Sequence, residues 1–197
     1  MTNISILILA AGASSRMKGK AKQLLPWKDT TLLGHAMEQA REVSDSVTVV
    51  LGARAELIQN AIPGTVESIQ NSDWELGMGS SISKGVQHVL KENPSADGIL
   101  IMLVDQPLLD AAYLNQLKSE FEKDLSKITA TTYGEKIGVP AIFPKHLFLE
   151  LTQLNGDIGA RQLIKAHKTQ TTVLQPEGQE IDIDTIETYN QLTKTTP

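Results

Sequence analysis

The stretch from Ile6 to Trp27, ILILAAGASSRMKGKAKQLLPW, joins a buried strand, a loop of small residues and a cluster of cations. The apolar run that ends at Leu9 is typical of a strand buried on both faces of a parallel sheet. The loop after it carries almost no side-chain bulk, so a ligand can approach its backbone N–H groups, which form an anion-binding concavity. Four cations then lie within seven residues: Arg16, Lys18, Lys20 and Lys22. The whole stretch predicts a polyphosphate site.

Two widespread phosphate-binding loops do not fit this stretch. The dinucleotide fingerprint G-x-G-x-x-G requires three closely spaced glycines, and only Gly12 and Gly19 follow the strand. The nucleoside-triphosphatase loop G-x-x-x-x-G-K-[ST] requires those glycines to be two residues closer, and a hydroxyl where Ala21 stands. A different kind of nucleotide loop is therefore expected.

The composition is that of an acidic globular protein. The length of 197 residues suits a single domain, expected over residues 1–193, with 194–197 as a frayed tail. A formal net charge of −5 argues against a general nucleic-acid binder. There is no cysteine, which excludes disulfides and thiolate metal sites. No stretch has the length of a membrane span or the pattern of a signal peptide, so we expect a cytoplasmic protein without a membrane partner.

Alternating apolar runs predict an α/β fold: one doubly wound, three-layer α/β/α domain with a mostly parallel, Rossmann-like sheet. The most apolar run, 98–104, is expected to be the central strand. Pro140 indicates that the strand at 138–143 is irregular or lies at an edge, and residues 71–81 are expected to form a polar loop. Helices are expected to begin after three capping positions: Thr30 or Thr31, Asp110, and Thr185.

Acidic residues at two places suggest a metal site. Ligands of open parallel sheets bind outside the carboxyl ends of strands, so the small-residue loop and Asp105 are expected to face one crevice. Asp105 either caps the turn before Pro107 or holds Mg²⁺, which prefers one or two carboxylates together with phosphates; the polyphosphate loop favours Mg²⁺. Asp182 and Asp184 point to the same side of an extended segment and so can face one ligand. Asp184 can instead cap the last helix.

Other polar or aromatic side chains give weaker signals. Four histidines lack the spacing of metal ligands and are expected at the surface or its boundary: His35, His88, His146 and His167. Trp27 and Trp74 flank polar loops and either cover the edge of the core or stack on a ligand ring. No serine has a convincing His–Asp partnership, which argues against covalent hydrolysis.

Several motifs, in order, resemble those of the molybdenum cofactor cytidylyltransferases, which have the nucleotide-diphospho-sugar transferase fold. The opening stretch is similar to L-A-A-G-x-S-x-R-M-(x)-G-x-x-K, with one residue more than the commonest R-M-G-x-x-K spacing and Lys18 where glycine is usual. Asn71, Gly77 and Ser81 are placed as in the N-x(5)-G-x-G-x-S stretch. The remaining motifs are VDQP at 104–107, GVPAIF at 138–143, NGDIGAR at 155–161 and IDIDT at 181–185. The similarity spans nearly the whole chain.

The resemblance implies transfer of CMP from CTP to the phosphate of molybdenum cofactor (molybdopterin), with release of pyrophosphate and with Mg²⁺ as cofactor. It implies catalytic roles for Arg16, Lys22 and Asp105, and a metal held by Asp105 with Asp184 or Asp182. The acceptor substrate would contact Gly77, Asp157 and Arg161. The implied nucleotide-binding residues are Leu9, Ala10, Ala11, Gly12, Ser14, Arg16, Lys22, Asn71 and Ser81.

Three questions stay open at this stage. Ala11 favours a cytidylyl over a guanylyl enzyme by analogy alone, so the base is not settled by the residues. The acceptor could be another phosphorylated molecule, such as a sugar phosphate. Alternatively, the chain is a non-catalytic binding protein that helps to mature a molybdoenzyme client.

Overall fold

The computed structural model describes residues 2–17, 19–157 and 159–195. Lys18 and Ile158, which belong to two of the motifs above, lie outside the described residues. The described elements, in chain order, are β1 (Ile4–Ala10), β2 (Pro26–Trp27), β3 (Thr30–Thr31), α1 (Leu32–Arg41), β4 (Val47–Leu51), α2 (Ala55–Gln59), β5 (Glu67–Gln70), α3 (Met78–Glu92), β6 (Gly98–Leu103), α4 (Ala111–Phe121), β7 (Ile128–Tyr133), β8 (Lys136–Pro144), α5 (Phe148–Leu151), α6 (Ala160–Ala166), β9 (Thr171–Leu174) and α7 (Ile186–Thr195).

A seven-stranded sheet has the order β5-β4-β1-β6-β8-β7-β9. Of these seven strands, only β8 runs against its neighbours, so the mostly parallel, doubly wound prediction is confirmed. The strand β6 lies in the middle, as its apolar sequence predicts. The order of the strands reverses between β1 and β6, and such a switch point is where open α/β sheets bind ligands.

Helices cover both faces of this sheet. Alternate residues of β1 point to opposite faces, so Ile6 and Ile8 join a core with α1, α2, α4 and α7. Leu7 and Leu9 join a second core with α3, α5 and α6. Each fully buried side chain of this size contributes about 1.5–3 kcal/mol, so β1 is held firmly from both sides. Among the described helices, none is both long and apolar enough to cross a membrane.

Three predicted helix caps are present. The Thr31 hydroxyl accepts a hydrogen bond from the Gly34 amide at 3.0 Å, and the Asp110 carboxylate accepts one from the Tyr113 amide at 3.0 Å. The Thr185 hydroxyl accepts from the Thr188 amide at 3.1 Å and starts α7. That helix extends to Thr195, into the segment predicted to fray, and 196–197 lie outside the described residues.

The predicted loop over residues 71–81 is wrong in its second half. A short 3₁₀ helix covers Trp74–Leu76, and α3 begins at Met78. Glycine and serine have low helix propensity and hide this start in the sequence. The start is held by a tertiary contact, because the Gly79 amide donates a hydrogen bond to the Gly156 carbonyl at 3.0 Å.

The strand that contains Pro140 is irregular, as predicted, but it is not an edge strand. It is β8, which lies between β6 and β7. Proline has no N–H for a sheet ladder, and a bulge is one place where an interior strand tolerates it. The register of β7 against β8 shifts between Ala130 and Thr131, and the Thr131 hydroxyl donates to the Pro140 carbonyl at 2.7 Å.

Candidate active site

A cavity of about 370 Å³ opens at the carboxyl ends of β1 and β6. The loop after β1 and Asp105 both line it, so the two features expected to share a crevice do share one. The segment around Gly77 and Ser81 forms another part of the wall, and Asp184 reaches the cavity from the segment before α7. Four separate parts of the described sequence thus supply its charged groups: the loop after β1, the segment with Glu75, Asp105 and Asp184.

The loop after β1 is held in shape by a buried glutamine. Gln23 is 2% exposed, and its side-chain amide donates to the carbonyls of Ala10 at 2.8 Å and Gly12 at 3.0 Å. The hydroxyl of Ser14, a residue with a left-handed φ of 55°, donates to Gln23 Oε1 at 3.3 Å and accepts from the Lys22 amide at 3.1 Å. Sequence reasoning missed Gln23; the available signal was an uncharged polar residue between the cations and the apolar Leu-Leu-Pro.

Four of the predicted site residues form one network of ion pairs. Lys22 Nζ lies 2.5 Å from Asp105 Oδ2 and 3.6 Å from Asp184 Oδ1. Arg16 Nη2 lies 3.0 Å from the same Asp184 oxygen. The Lys22 and Asp105 side chains are only 13% and 16% exposed, whereas Arg16 is 66% exposed. The Lys22–Asp105 pair is therefore the shielded centre of the network.

The carboxylates of this network suit a divalent cation. Asp105 Oδ1 is buried and has no hydrogen-bond partner among the described residues. Asp105 and Asp184 both reach one ammonium group, so both can reach one metal ion. Within the described part of the chain, no group of three or more His, Cys, Asp or Glu residues is arranged to hold a metal. Two carboxylates completed by water and substrate phosphates form a typical Mg²⁺ site.

Asp182 points to a different group of residues. Its Oδ1 accepts a hydrogen bond from Gln106 Nε2 at 2.8 Å, and the same nitrogen lies 2.8 Å from the Tyr133 hydroxyl. That hydroxyl donates to the Val139 carbonyl. Loss of surrounding water raises the pKa of Asp182, and neighbouring carboxylates raise it further. Burial likewise raises the pKa of Tyr133. The two aspartates of the IDIDT segment thus have different partners, and Asp184 alone joins the ion-pair network.

Asn71 supports the cavity wall from behind. Its side chain is 2% exposed, and its amide donates to the hydroxyls of Ser80 at 2.9 Å and Ser81 at 3.0 Å. Ser81 and Gly77 line the cavity themselves. Gly77 has a φ of 103°, and a Cβ added to it would lie 2.4 Å from the Gly156 backbone. The cavity wall at Gly77 therefore packs directly against the loop of the NGDIGAR motif.

Asp157 and Arg161 are exposed and lie outside the cavity wall that the described residues form. The Asp157 amide borders Gly77, 2.7 Å from where a Cβ on that glycine would lie. Arg161 Nη2 lies 3.9 Å from the Cβ position of Gly138, at the start of β8. Asp157 therefore lies next to the cavity wall at Gly77, and Arg161 lies beside the start of β8.

His35 is buried, which makes its predicted surface or boundary position wrong. It is 5% exposed on α1, and its Nε2 lies 3.0 Å from the Pro107 carbonyl in the loop after β6. Burial lowers the pKa of His35. Its ring is tilted against that of Trp27, with centroids 6.4 Å apart, and Trp27 is itself 2% exposed. Trp27 therefore belongs to the core, whereas the half-buried Trp74 lines the cavity.

Comparison with known proteins gives consistent matches. A family model described as the MobA-like NTP transferase domain matches residues 6–171. The purine catabolism protein PucB of Bacillus subtilis is 32% identical, and nicotine blue oxidoreductase of Paenarthrobacter nicotinovorans is 28% identical, each over 94% of both chains. The crystal structure of Rv0371c from Mycobacterium tuberculosis is 30% identical over 98% of both chains, with a TM-score of 0.83. Its complex with manganese is 29% identical over 98% of this chain and 100% of that one, with a TM-score of 0.81.

Proposed function

This chain belongs to the MobA-like NTP transferase domain family, and from that premise we propose that it transfers CMP from CTP to the phosphate of molybdenum cofactor. Pyrophosphate is the second product. The observation that carries the proposal is the network in which Arg16, Lys22, Asp105 and Asp184 meet beside the small-residue loop. Cations of the kind that bind phosphate and carboxylates of the kind that bind a metal ion lie together there.

The proposed reaction needs no covalent intermediate. An oxygen of the acceptor phosphate attacks the α-phosphorus of CTP, and the bond from that phosphorus to the bridging oxygen of pyrophosphate breaks. Such phosphoryl chemistry depends mainly on positioning and on stabilising charge. Arg16 and Lys22 would bind the triphosphate and offset the charge of the departing pyrophosphate. Mg²⁺ held by Asp105 and Asp184 would supply further neutralisation of the phosphates.

We expect the two substrates to bind at different parts of the cavity. The backbone of residues 9–12 would hold the base and ribose, since Ala10, Ala11 and Gly12 leave room for close approach. The packing behind this loop is tight: a Cβ on Gly52 would lie 2.7 Å from that of Ala11. The acceptor would enter from the side of Gly77, with Asp157 and Arg161 at its border.

The relatives support parts of this proposal. The manganese complex of Rv0371c supports a divalent cation. PucB is named for purine catabolism, and another relative is named as an oxidoreductase, so the assay must cover other reactions. The LAAG sequence supports CTP by its resemblance to the cytidylyl enzymes.

The test measures pyrophosphate release in the presence of Mg²⁺. Each of CTP, GTP, ATP and UTP is combined either with molybdenum cofactor or with a panel of sugar phosphates. We expect release with CTP and molybdenum cofactor, and a loss of about a hundredfold or more in Asp105→Asn. Asp29→Asn, at an exposed turn, is the matched control. Preference for GTP, activity with sugar phosphates alone, or NAD(P)H oxidation without pyrophosphate would overturn the proposal. Delivery of cofactor to a molybdoenzyme by Asp105→Asn without pyrophosphate release would indicate a carrier.

A further inference from the structure

We infer that Lys22 and a divalent cation compete for Asp105, so that the metal and the triphosphate each strengthen the binding of the other. The inference rests on the proposed function for the identity of the triphosphate ligand. In this inference Lys22 has a second role besides binding phosphate. Its ammonium group pairs with the carboxylates of Asp105 and Asp184 until a phosphate group takes their place as its partner.

The ammonium group of Lys22 and a metal ion cannot both occupy Asp105 Oδ2. Lys22 Nζ lies 2.5 Å from Asp105 Oδ2 and 3.6 Å from Asp184 Oδ1. Mg²⁺ binds carboxylate oxygens at about 2.0–2.1 Å, so an ion bound to Asp105 Oδ2 and Asp184 Oδ1, the two oxygens nearest Lys22, would overlap the ammonium group. Two positive groups at such a separation also repel strongly in a poorly solvated place. Lys22 must therefore leave Asp105 Oδ2 when the metal binds that oxygen.

Leaving is costly for Lys22 unless another anion is available. The pair is largely shielded from water, with side-chain exposures of 13% and 16%. Breaking a shielded pair without a replacement partner leaves an uncompensated charge, which is strongly unfavourable. The loop after β1 lies on the same cavity, so a triphosphate bound there offers Lys22 a new partner. The triphosphate thereby frees Asp105 for the metal, and by linkage the metal frees Lys22 for the triphosphate.

Two further observations make the coupling strong. The site offers two carboxylates rather than three among the described residues, so phosphate oxygens can replace several waters in the shell of the metal and strengthen its binding. The competing ion pair of Arg16 with Asp184 is 66% and 39% exposed, and exposed pairs are weak. Lys22 is thus the main competitor of the metal.

The first experiment measures Mn²⁺ binding by electron paramagnetic resonance, without nucleotide, in the wild type, Lys22→Met and Lys20→Met. Removing a competing cation should tighten Mn²⁺ binding by about fivefold or more in Lys22→Met. Lys20 is exposed in the same loop, and its removal changes the net charge equally. Screening by salt should keep the effect of Lys20→Met within about twofold. Unchanged or weaker Mn²⁺ binding in Lys22→Met would overturn the inference.

The second experiment repeats these titrations with a non-hydrolysable α,β-methylene analogue of CTP. In the wild type, the analogue should tighten Mn²⁺ binding by about tenfold or more, a coupling of ordinary size for linked sites. In Lys22→Met the analogue should tighten Mn²⁺ binding by a clearly smaller factor, because no ammonium group has to move. An equal factor in both proteins would contradict the exchange.

A third measurement uses the wild type alone and decides the matter if Lys22→Met does not fold. Amine acylation followed by mass spectrometry reports how accessible each lysine is. Mg²⁺ without nucleotide should raise the labelling of Lys22 and leave that of Lys20 unchanged; constant Lys22 labelling would overturn the inference. None of these readouts uses catalysis, so failure of the proposed transfer reaction would be seen separately, as absent pyrophosphate.

Discussion

The backbone N–H of Ile183 donates a 2.8 Å hydrogen bond to the carbonyl oxygen of Asp105. The Ile183 side chain is also fully buried, in the core that packs against α1 and α4. This hydrogen bond and this side chain together fix the segment before α7 against the end of β6. They place Asp184 beside Lys22 and Asp182 beside Gln106.

The different partners of these two aspartates predict different effects of their removal. Asp184→Asn should raise the Mg²⁺ concentration needed for half-maximal activity by about tenfold or more, because a charged metal ligand becomes a neutral amide. Asp182→Asn should change this Mg²⁺ concentration by less than about threefold, since the Asp182 side chain accepts a hydrogen bond from Gln106. A Mg²⁺ titration of pyrophosphate release measures both. Equal effects would mean that both carboxylates hold the ion.

Gln23 predicts a link between stability and nucleotide binding. Gln23→Leu leaves the carbonyls of Ala10 and Gly12 without their partner, which should lower the free energy of unfolding by about 1–3 kcal/mol. The relaxed loop should also raise the KM for the nucleotide. Urea denaturation and steady-state kinetics measure the two effects. Gln87→Leu, the same change at an exposed helical position, should leave both nearly unchanged.

Gly77 tests how closely the cavity wall approaches its neighbour. Gly77→Ala would place a Cβ 2.4 Å from the Gly156 backbone, in a residue whose φ is 103°. Strain and overlap together should lower the free energy of unfolding by about 2 kcal/mol or more. Gly64→Ala is the control, because a Cβ there meets nothing within 4 Å. Similar melting temperatures for the two variants would show that the wall moves apart without cost.

His35 predicts a pH dependence of stability. Its pKa in the folded state lies below the ordinary value of 6.5 because of burial. As the pH falls below about 6.5, the unfolded chain takes up the proton first, so unfolding becomes more favourable. The wild type should therefore lose more stability than His35→Gln between pH 7.5 and 5.5. Denaturant titrations across this range measure the difference. Parallel curves would show that His35 titrates normally in the folded protein.

The sequence predicts the architecture well where one rule dominates. The buried run of β1, the apolar central strand β6 and the caps at Thr31, Asp110 and Thr185 each depend on a single strong local signal. The shared crevice of the small-residue loop and Asp105 follows from a general rule about parallel sheets. These features need no knowledge of distant contacts.

The features that the sequence hides depend on contacts between distant residues. Nothing local marks His35 as buried, because its partner is the Pro107 carbonyl on another element. Pro140 suggests an edge strand until the bulge in β7–β8 pairing is known. The separation of Asp182 from Asp184 likewise depends on Gln106, far away in the sequence. Local patterns cannot contain this information.

The single hydrogen bond between Ile183 and Asp105 constrains how the chain can vary. Residues 175–181 connect β9 to this contact as an irregular segment, and such segments ordinarily tolerate insertions and deletions. Here the insertion or deletion of one residue would shift the segment along the chain. A neighbour of Asp184 would then lie beside Arg16 and Lys22, while the sheet stayed intact. We therefore expect natural variants to keep the length of this connector more strictly than the identity of its exposed residues.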